Sequence, residues 1–185
     1  MIKIIGGSAG GIAIEAPQGQ RTRPTLGRIR ESIFNVLTNV GLVDTKVLDI
    51  FSGTGAMGLE ALSRGAREAV MIDQATGRLI ASNARRCRLE DRAVILRKDA
   101  ARALQSLAGQ TFDYIFMDPP YRKGFINEIL RMIMDCALPA DQCVIVVEHI
   151  LSEPPDISAW QGSLSVWKEK RVGDTAVTYL LYNKT

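Results

Sequence analysis

Between Val47 and Gly58 the chain reads Val-Leu-Asp-Ile-Phe-Ser-Gly-Thr-Gly-Ala-Met-Gly, a short apolar run that ends in an acid and opens into glycines before helix-forming sequence resumes. Few architectures accommodate that order. Val47, Leu48 and Ile50 read as a strand buried on both faces, which requires a sheet with a covering layer on each side. Gly53 and Gly55 allow a tight turn and a close backbone approach to a ligand. The first amides of the following helix then favour a carboxylate or phosphate at that point. Gly53-x-Gly55-x-x-Gly58 also fits the dinucleotide fingerprint, with Asp73 following at about the 20-residue distance at which an acid meets a ribose. This stretch alone leaves a nicotinamide enzyme and an S-adenosylmethionine enzyme both open.

The rest of the chain supplies the layers. Ile2 to Ile5 and Ile12 to Ile14 alternate in the strand sense around six small residues, Gly6 to Gly11, and read as a hairpin. Ile29, Ile33, Val36, Leu37 and Val40 recur at helical spacing after Pro24, with Thr25 as the expected cap and Arg28, Arg30 and Glu31 off the apolar stripe. Strands are expected over Ala69–Asp73, Val94–Arg97, Phe112–Met117 and Cys143–Glu148. Helical stretches, Ala75–Arg88 among them, fall between. Five alternations of strand and helix signal a parallel sheet covered on both faces, which binds ligands beyond the carboxyl ends of its strands. Asp49, Asp73, Asp99 and Asp118 all fall there. Ser163 to Val172 and Ala176 to Tyr182, separated by Gly173-Asp174, add an antiparallel hairpin.

At 185 residues and 46% apolar content the chain suits a single domain. Its apolar runs are too short to cross a bilayer and Met1-Ile2-Lys3 leads straight into strand, so a cytoplasmic protein without membrane contact is expected. Cys87, Cys136 and Cys143 lack metal or redox spacing, and His149 is the only histidine; no metal is expected. Arg21, Arg23, Arg28 and Arg30 fall within an acid-free stretch, which reads either as a phosphate-meeting patch or as a solvated helix start.

Asp118-Pro119-Pro120-Tyr121 at the end of an apolar strand decides between the cofactors. An exocyclic amine of a nucleobase is a poor nucleophile because its lone pair is delocalised into the ring. A carboxylate and a backbone carbonyl, those of Asp118 and Pro119, each accept one N–H and aim the lone pair outward. Pro120 stiffens the turn and Tyr121 offers a ring for the base to stack on. Direct displacement at a sulfonium methyl then needs mainly positioning.

Asp49-x-Phe51-x-Gly53-x-Gly55 followed by this tetrapeptide resembles the amino-directed branch of the S-adenosylmethionine-dependent methyltransferases. More narrowly, Ile4-Ile5-Gly6-Gly7, Thr22-Arg23-Pro24-Thr25, Arg28-Ile29-Arg30-Glu31, Phe34-Asn35 and Gly58 to Ala66 resemble the bacterial RsmD family, which methylates N2 of a guanine in small-subunit (16S) ribosomal RNA. That resemblance implies a Rossmann-like, mostly parallel seven-stranded methyltransferase sheet whose last strand inserts antiparallel. It implies Asp49, Phe51, Gly53, Thr54 and Gly55 around the methionine part of the cofactor, Asp73 on the ribose hydroxyls and Gln74 beside the adenine. Asp99 and Ala100 would meet the adenine amino edge, and Asn83 would lie near the site. Arg21, Arg23, Arg28, Arg30 and Lys123 would grip phosphates of ribosomal RNA in a small subunit or its assembly intermediate, with residues 1–40 as an RNA-facing extension. Gly10 and Gly11 stand where family members carry arginines, and the acid they have near Gly27 is missing. Competing readings are an adenine-N6 methyltransferase on DNA or RNA, a nicotinamide-dependent oxidoreductase, and a catalytically idle RNA-binding assembly factor.

Overall fold

The computed structural model describes residues 1–17, 24–120 and 124–184. Two short strands, β1 (Ile2–Lys3) and β2 (Ala13–Ile14), pair antiparallel, and helix α1 (Pro24–Thr38) follows. That helix starts at Pro24 itself and not after a Thr25 cap, because proline at the first helical position gives up an N–H that has no helical partner. The alternating section runs β3 (Lys46–Ile50), α2 (Ala56–Ser63), β4 (Glu68–Ile72), α3 (Gly77–Arg86), β5 (Ala93–Leu96), α4 (Ala100–Ser106), β6 (Phe112–Met117), α5 (Phe125–Asp135) and β7 (Pro139–Ile150). Strands β8 (Leu164–Val172) and β9 (Thr175–Tyr182) close it.

One sheet takes the order β5-β4-β3-β6-β7-β9-β8. β3 pairs parallel with both β4 and β6, so the winding reverses there and a crevice opens beyond the carboxyl ends of β3 and β6. β9 inserts antiparallel between β7 and β8, as the resemblance implies. Strand alternation divides the core. Val47, Met71, Phe116, Val146 and Tyr179 face α1, α2 and α3, while Leu48, Ile72, Ile115, Met117 and Val147 face α4 and α5. Asp49, Asp118 and Glu148 each stand two residues after one of the first set, so all three belong to the α1 side.

The amino-terminal hairpin is clipped to α2. Glu60 is fully buried and accepts the N–H groups of Ile5 at 2.7 Å and Gly6 at 2.8 Å while pairing with Arg64 Nε at 2.8 Å. Ser63 Oγ accepts the Ala9 N–H at 2.9 Å and donates to Gly6 O. Gly7 permits this approach: its φ is +76°, and a β-carbon there would stand 1.9 Å from Ser63 O. Gly7→Ala is therefore expected to pry the hairpin off α2 and cost more than about 2 kcal/mol. A lowered denaturant midpoint at unchanged slope checks this. From α3, the buried Asn83 accepts the Glu15 N–H at 2.8 Å and donates to Glu15 O at 3.0 Å and Thr54 O at 2.9 Å. Both ends of the hairpin are thus tied to the layer that borders the crevice.

Candidate active site

The turn after β3 is the most contorted backbone near the crevice. Phe51, Gly53 and Gly55 have φ of +63°, +55° and +78°. For an aromatic residue the left-handed region is strained by about 1 kcal/mol or more and persists only when neighbours hold it. Here the holding groups are two strand-end acids. Asp49 Oδ2 accepts the N–H of Gly58 in the first turn of α2 at 3.0 Å, and Asp73 Oδ2 accepts that of Gly53 at 3.0 Å. Ser52 Oγ donates to Asp49 O at 2.7 Å, and the Gly55 N–H donates to Ser52 O at 2.7 Å.

A cavity of about 240 Å³ lies between α1 and the carboxyl ends of β3, β6 and β7. Asp49, Asp118 and Glu148 border it from the sheet, Ile29, Arg30 and Ile33 from α1, and Ser52, Gly53 and Thr54 from the turn. Ile2 and Ala16, on either side of the clipped hairpin, complete the wall. Burial pushes the Asp49 carboxyl up to about 7 against the hydrogen bond from Gly58, with Asp73 adding like charge. Asp118 is also held well above the usual carboxylate range, first by burial among protein atoms, then by Glu148 and Asp49. Asp118 is nonetheless exposed on its crevice side.

A second cavity, of about 390 Å³, lies beyond β4 and β5 and is bordered by Asp73, Gln74, Asp99, Ala100 and Pro120. Phe51 borders both, its ring 6.2 Å from that of Phe125. The two cavities, the first and second chambers, adjoin at Phe51, which lines both. Asp73 is rigid there, because its Oδ1 takes the N–H groups of Ala75 and Thr76, each at 2.9 Å. Asp99 Oδ1 caps α4 by accepting the Arg102 N–H at 3.0 Å.

Most of the residues singled out from sequence therefore converge: Asp49, Phe51, Gly53, Thr54 and Asp118 at the first chamber, and Asp73, Gln74, Asp99, Ala100 and Pro120 at the second. Pro119 is buried between them in sequence. Gly55 borders neither; it is the residue before α2, where a β-carbon would stand 2.9 Å from Ile80 Cγ2. Asn83 borders neither, since its amide is occupied by Glu15 and Thr54, and it acts on the turn by holding the Thr54 carbonyl. Tyr121, Lys123, Arg21 and Arg23 lie outside the described residues.

Arg30 requires a correction. It was expected on the open face of the helix beside Arg28. Arg28 is indeed exposed, but Arg30 is 9% exposed, donates to Lys3 O and stands 4.0 Å from Glu60. Strand β1 covers that side of α1, and a contact between residues so far apart leaves no mark on helical periodicity. Burial lowers the Arg30 pKa while Glu60 raises it. Glu148 was missed, although it nearly follows the rule that found the other acids: it lies toward the carboxyl end of β7, directly after Val147, the partner of Met117. Among the described residues no group of three or more His, Cys, Asp or Glu is placed to hold a metal ion, and no helix is long and apolar enough to cross a membrane.

Comparison with known proteins adds four findings. The family model described as Conserved hypothetical protein 95 matches residues 2–181. The Ribosomal RNA small subunit methyltransferase D of Escherichia coli K12 is 34% identical over 99% of this chain and 90% of its own length. The solved structure of yhhF from Escherichia coli superposes with a TM-score of 0.86 at 32% identity, covering 100% of this chain and 99% of that one. At 16% identity and a TM-score of 0.67, the O-methyltransferase from Bacillus cereus, solved in complex with SAH, covers 88% of this chain and 83% of its own and shows the shared fold.

Proposed function

The chain belongs to the RsmD family of methyltransferases, and from that premise we propose that it transfers the methyl group of S-adenosylmethionine to the exocyclic N2 amine of a guanine in small-subunit ribosomal RNA. The observation that carries the proposal is the shared chamber of Asp49 and Asp118 at the reversal point of the sheet.

The residues present fit the cofactor. Asp73 and Asp99 bring oxygen acceptors to the second chamber, suited to the ribose hydroxyls and the adenine amine. Asp49 and the glycine turn line the first, suited to the methionine end and its positive charge. When bound, S-adenosylmethionine supplies an electrophilic methyl group on a positively charged sulfur.

Asp118 and the Pro119 carbonyl each accept one N–H of the target amine, so that the nitrogen lone pair points away from the ring. As the nitrogen gains its bond to carbon it becomes acidic, and Asp118 receives the proton it sheds. The raised pKa of Asp118 suits that task, since an acceptor that titrates near the working pH both takes and returns a proton. A guanine paired in a helix cannot reach this chamber, so the substrate base must be unpaired or extruded. Arg28 on the exposed face of α1 is the described residue of the basic stretch that remains available to phosphates, and residues 1–40 serve as the RNA-facing extension.

Because Asp49 and Asp118 are raised toward neutral pH, a cation beside them favours their ionised forms. Binding of S-adenosylmethionine at pH 7 is thus expected to release protons, and its affinity to rise with pH until both acids are ionised. S-adenosylhomocysteine, whose sulfur is neutral, should release fewer. Calorimetric titrations in buffers of different ionisation enthalpy read the difference; equal release for the two ligands would remove the electrostatic role of these acids.

The function itself is tested by tritiated methyl transfer into small subunits and naked ribosomal RNA from a strain lacking the enzyme, followed by nucleoside identification. N2-methylguanosine is expected. N6-methyladenosine would overturn the base assignment, and an absence of label would overturn the activity.

A further inference from the structure

Two acceptors on an amine hold any amino base equally, so Asp118 and Pro119 leave the choice of base unexplained. The first chamber holds a charged group that this mechanism does not use. Met117, the last residue of β6, pairs with Val147 of β7, so Asp118 and Glu148 each follow directly on a paired residue of two adjacent parallel strands. Both side chains border the same chamber, and Glu148 is only 8% exposed. Its charge is felt at Asp118, where it contributes to the raised pKa.

Arg30 is an independent mark of a ligand at this wall. It is nine-tenths buried, borders the chamber and stands 4.0 Å from Glu60, yet its guanidinium, with five N–H donors, makes one hydrogen bond among the described residues, to Lys3 O, and its buried Nε makes none. A chamber built from adjacent acceptors and an under-used buried cation suits a ligand that carries adjacent donors together with acceptors of its own.

We infer that Glu148 selects guanine, its carboxylate accepting the N1–H of the base whose N2 amine is held by Asp118 and Pro119, while Arg30 balances the added negative charge. This rests on the guanine-N2 reading above and says what enforces it. On guanine the ring nitrogen beside the reacting amine carries a hydrogen, so two neighbouring carboxylates meet two neighbouring donors. On adenine and cytosine that ring nitrogen carries a lone pair, and Glu148 would face acceptor to acceptor. One wall residue thereby separates bases that the amine-holding loop treats alike.

The test pairs a variant with a base analogue. 2-Aminopurine keeps the amine at C2 but has a lone pair at N1. Small subunits are reconstituted with guanine or 2-aminopurine at the position the wild-type enzyme methylates, and kcat/KM is measured for each. Wild type is expected to prefer guanine by about 100-fold, the upper range for one well-placed base contact. Glu148→Gln, whose amide N–H can meet the N1 lone pair, should narrow that ratio below about tenfold by losing on guanine and gaining on 2-aminopurine. Glu148→Asp keeps the charge but withdraws it, and should lose about tenfold on guanine with no gain on 2-aminopurine. Unchanged S-adenosylmethionine affinity and melting temperature exclude a folding defect. An unchanged ratio in Glu148→Gln, or equal losses on both bases, overturns the inference while leaving the methyltransferase reading intact. Failure of wild type to form N2-methylguanine overturns both.

Discussion

Asp118→Ala is expected to lose methyl transfer by about 10³-fold in kcat while binding S-adenosylmethionine within about tenfold of wild type, the smaller loss being that of its attraction to the cofactor's positive charge. The split follows from where the carboxylate sits. Asp49, Asp73 and the turn they hold would bear on the cofactor, and none of their hydrogen bonds involves Asp118. What Asp118 offers is an acceptor aimed at the amine, an interaction that strengthens only as that nitrogen attacks. Asp118→Asn should fall less, because its amide oxygen still accepts one N–H. It should also lose a pH dependence that wild type shows. The sign is fixed by the chemistry: a protonated Asp118 cannot accept the amine proton, so wild-type kcat/KM rises with pH and levels off once Asp118 is ionised. Since its carboxyl is raised above the ordinary range, that rise falls nearer neutrality than an unperturbed aspartate would place it, and the positive charge of the cofactor draws it lower again. Turnover of Asp118→Ala within tenfold of wild type would refute the assigned role.

The largest effect on stability is expected from Glu60→Gln. Glu60 is wholly buried and serves the Ile5 and Gly6 N–H groups and Arg64 at once, with Arg30 at 4.0 Å. The amide retains one acceptor and turns two hydrogens toward groups that are themselves donors. It leaves the buried guanidinium of Arg30 and the half-buried one of Arg64 without their negative partner. Breaking a buried ion pair from one side costs about 3–5 kcal/mol, a large share of the 5–15 kcal/mol typical of a whole domain. Chemical denaturation measures the loss, and hydrogen exchange at Ile5 and Gly6 locates it. Because Ile2 and Ala16 wall the first chamber, cofactor affinity should fall in parallel. A destabilisation below 1 kcal/mol would show that the hairpin is held by its apolar contacts instead.

The fold could be read from local pattern because its repeating unit is local. Apolar strand, acid, turn and helix follow one another within some thirty residues, and the strand-end rule then gathers Asp49, Asp73, Asp99 and Asp118 without any knowledge of the sheet order. What escaped was set by distant contacts. Arg30 looked like a surface residue because a helical wheel sees one buried stripe, whereas α1 is covered on a second side by Lys3 and its strand. Val40, counted in the apolar stripe, is 52% exposed because α1 has already ended at Thr38. Asn83 sits in a helix whose sequence is strongly polar, and nothing local distinguishes its buried amide from its solvated neighbours. Glu148 was within reach: the expected strand Cys143–Glu148 finishes on that residue as Ala69–Asp73 finishes on Asp73, and the strand-end rule was not carried on to it.

Phe51, standing in a strained backbone conformation between two chambers of about 240 and 390 Å³, has a consequence for inhibitor chemistry. Small fragments fitted separately to each side would lie end to end across a single aromatic ring. A tether short enough to pass that ring makes the second contact intramolecular, at an effective concentration in the millimolar range. Weak fragments found one chamber at a time can therefore be joined into a tight compound, and the linker has to be shaped to the edge of one phenyl group.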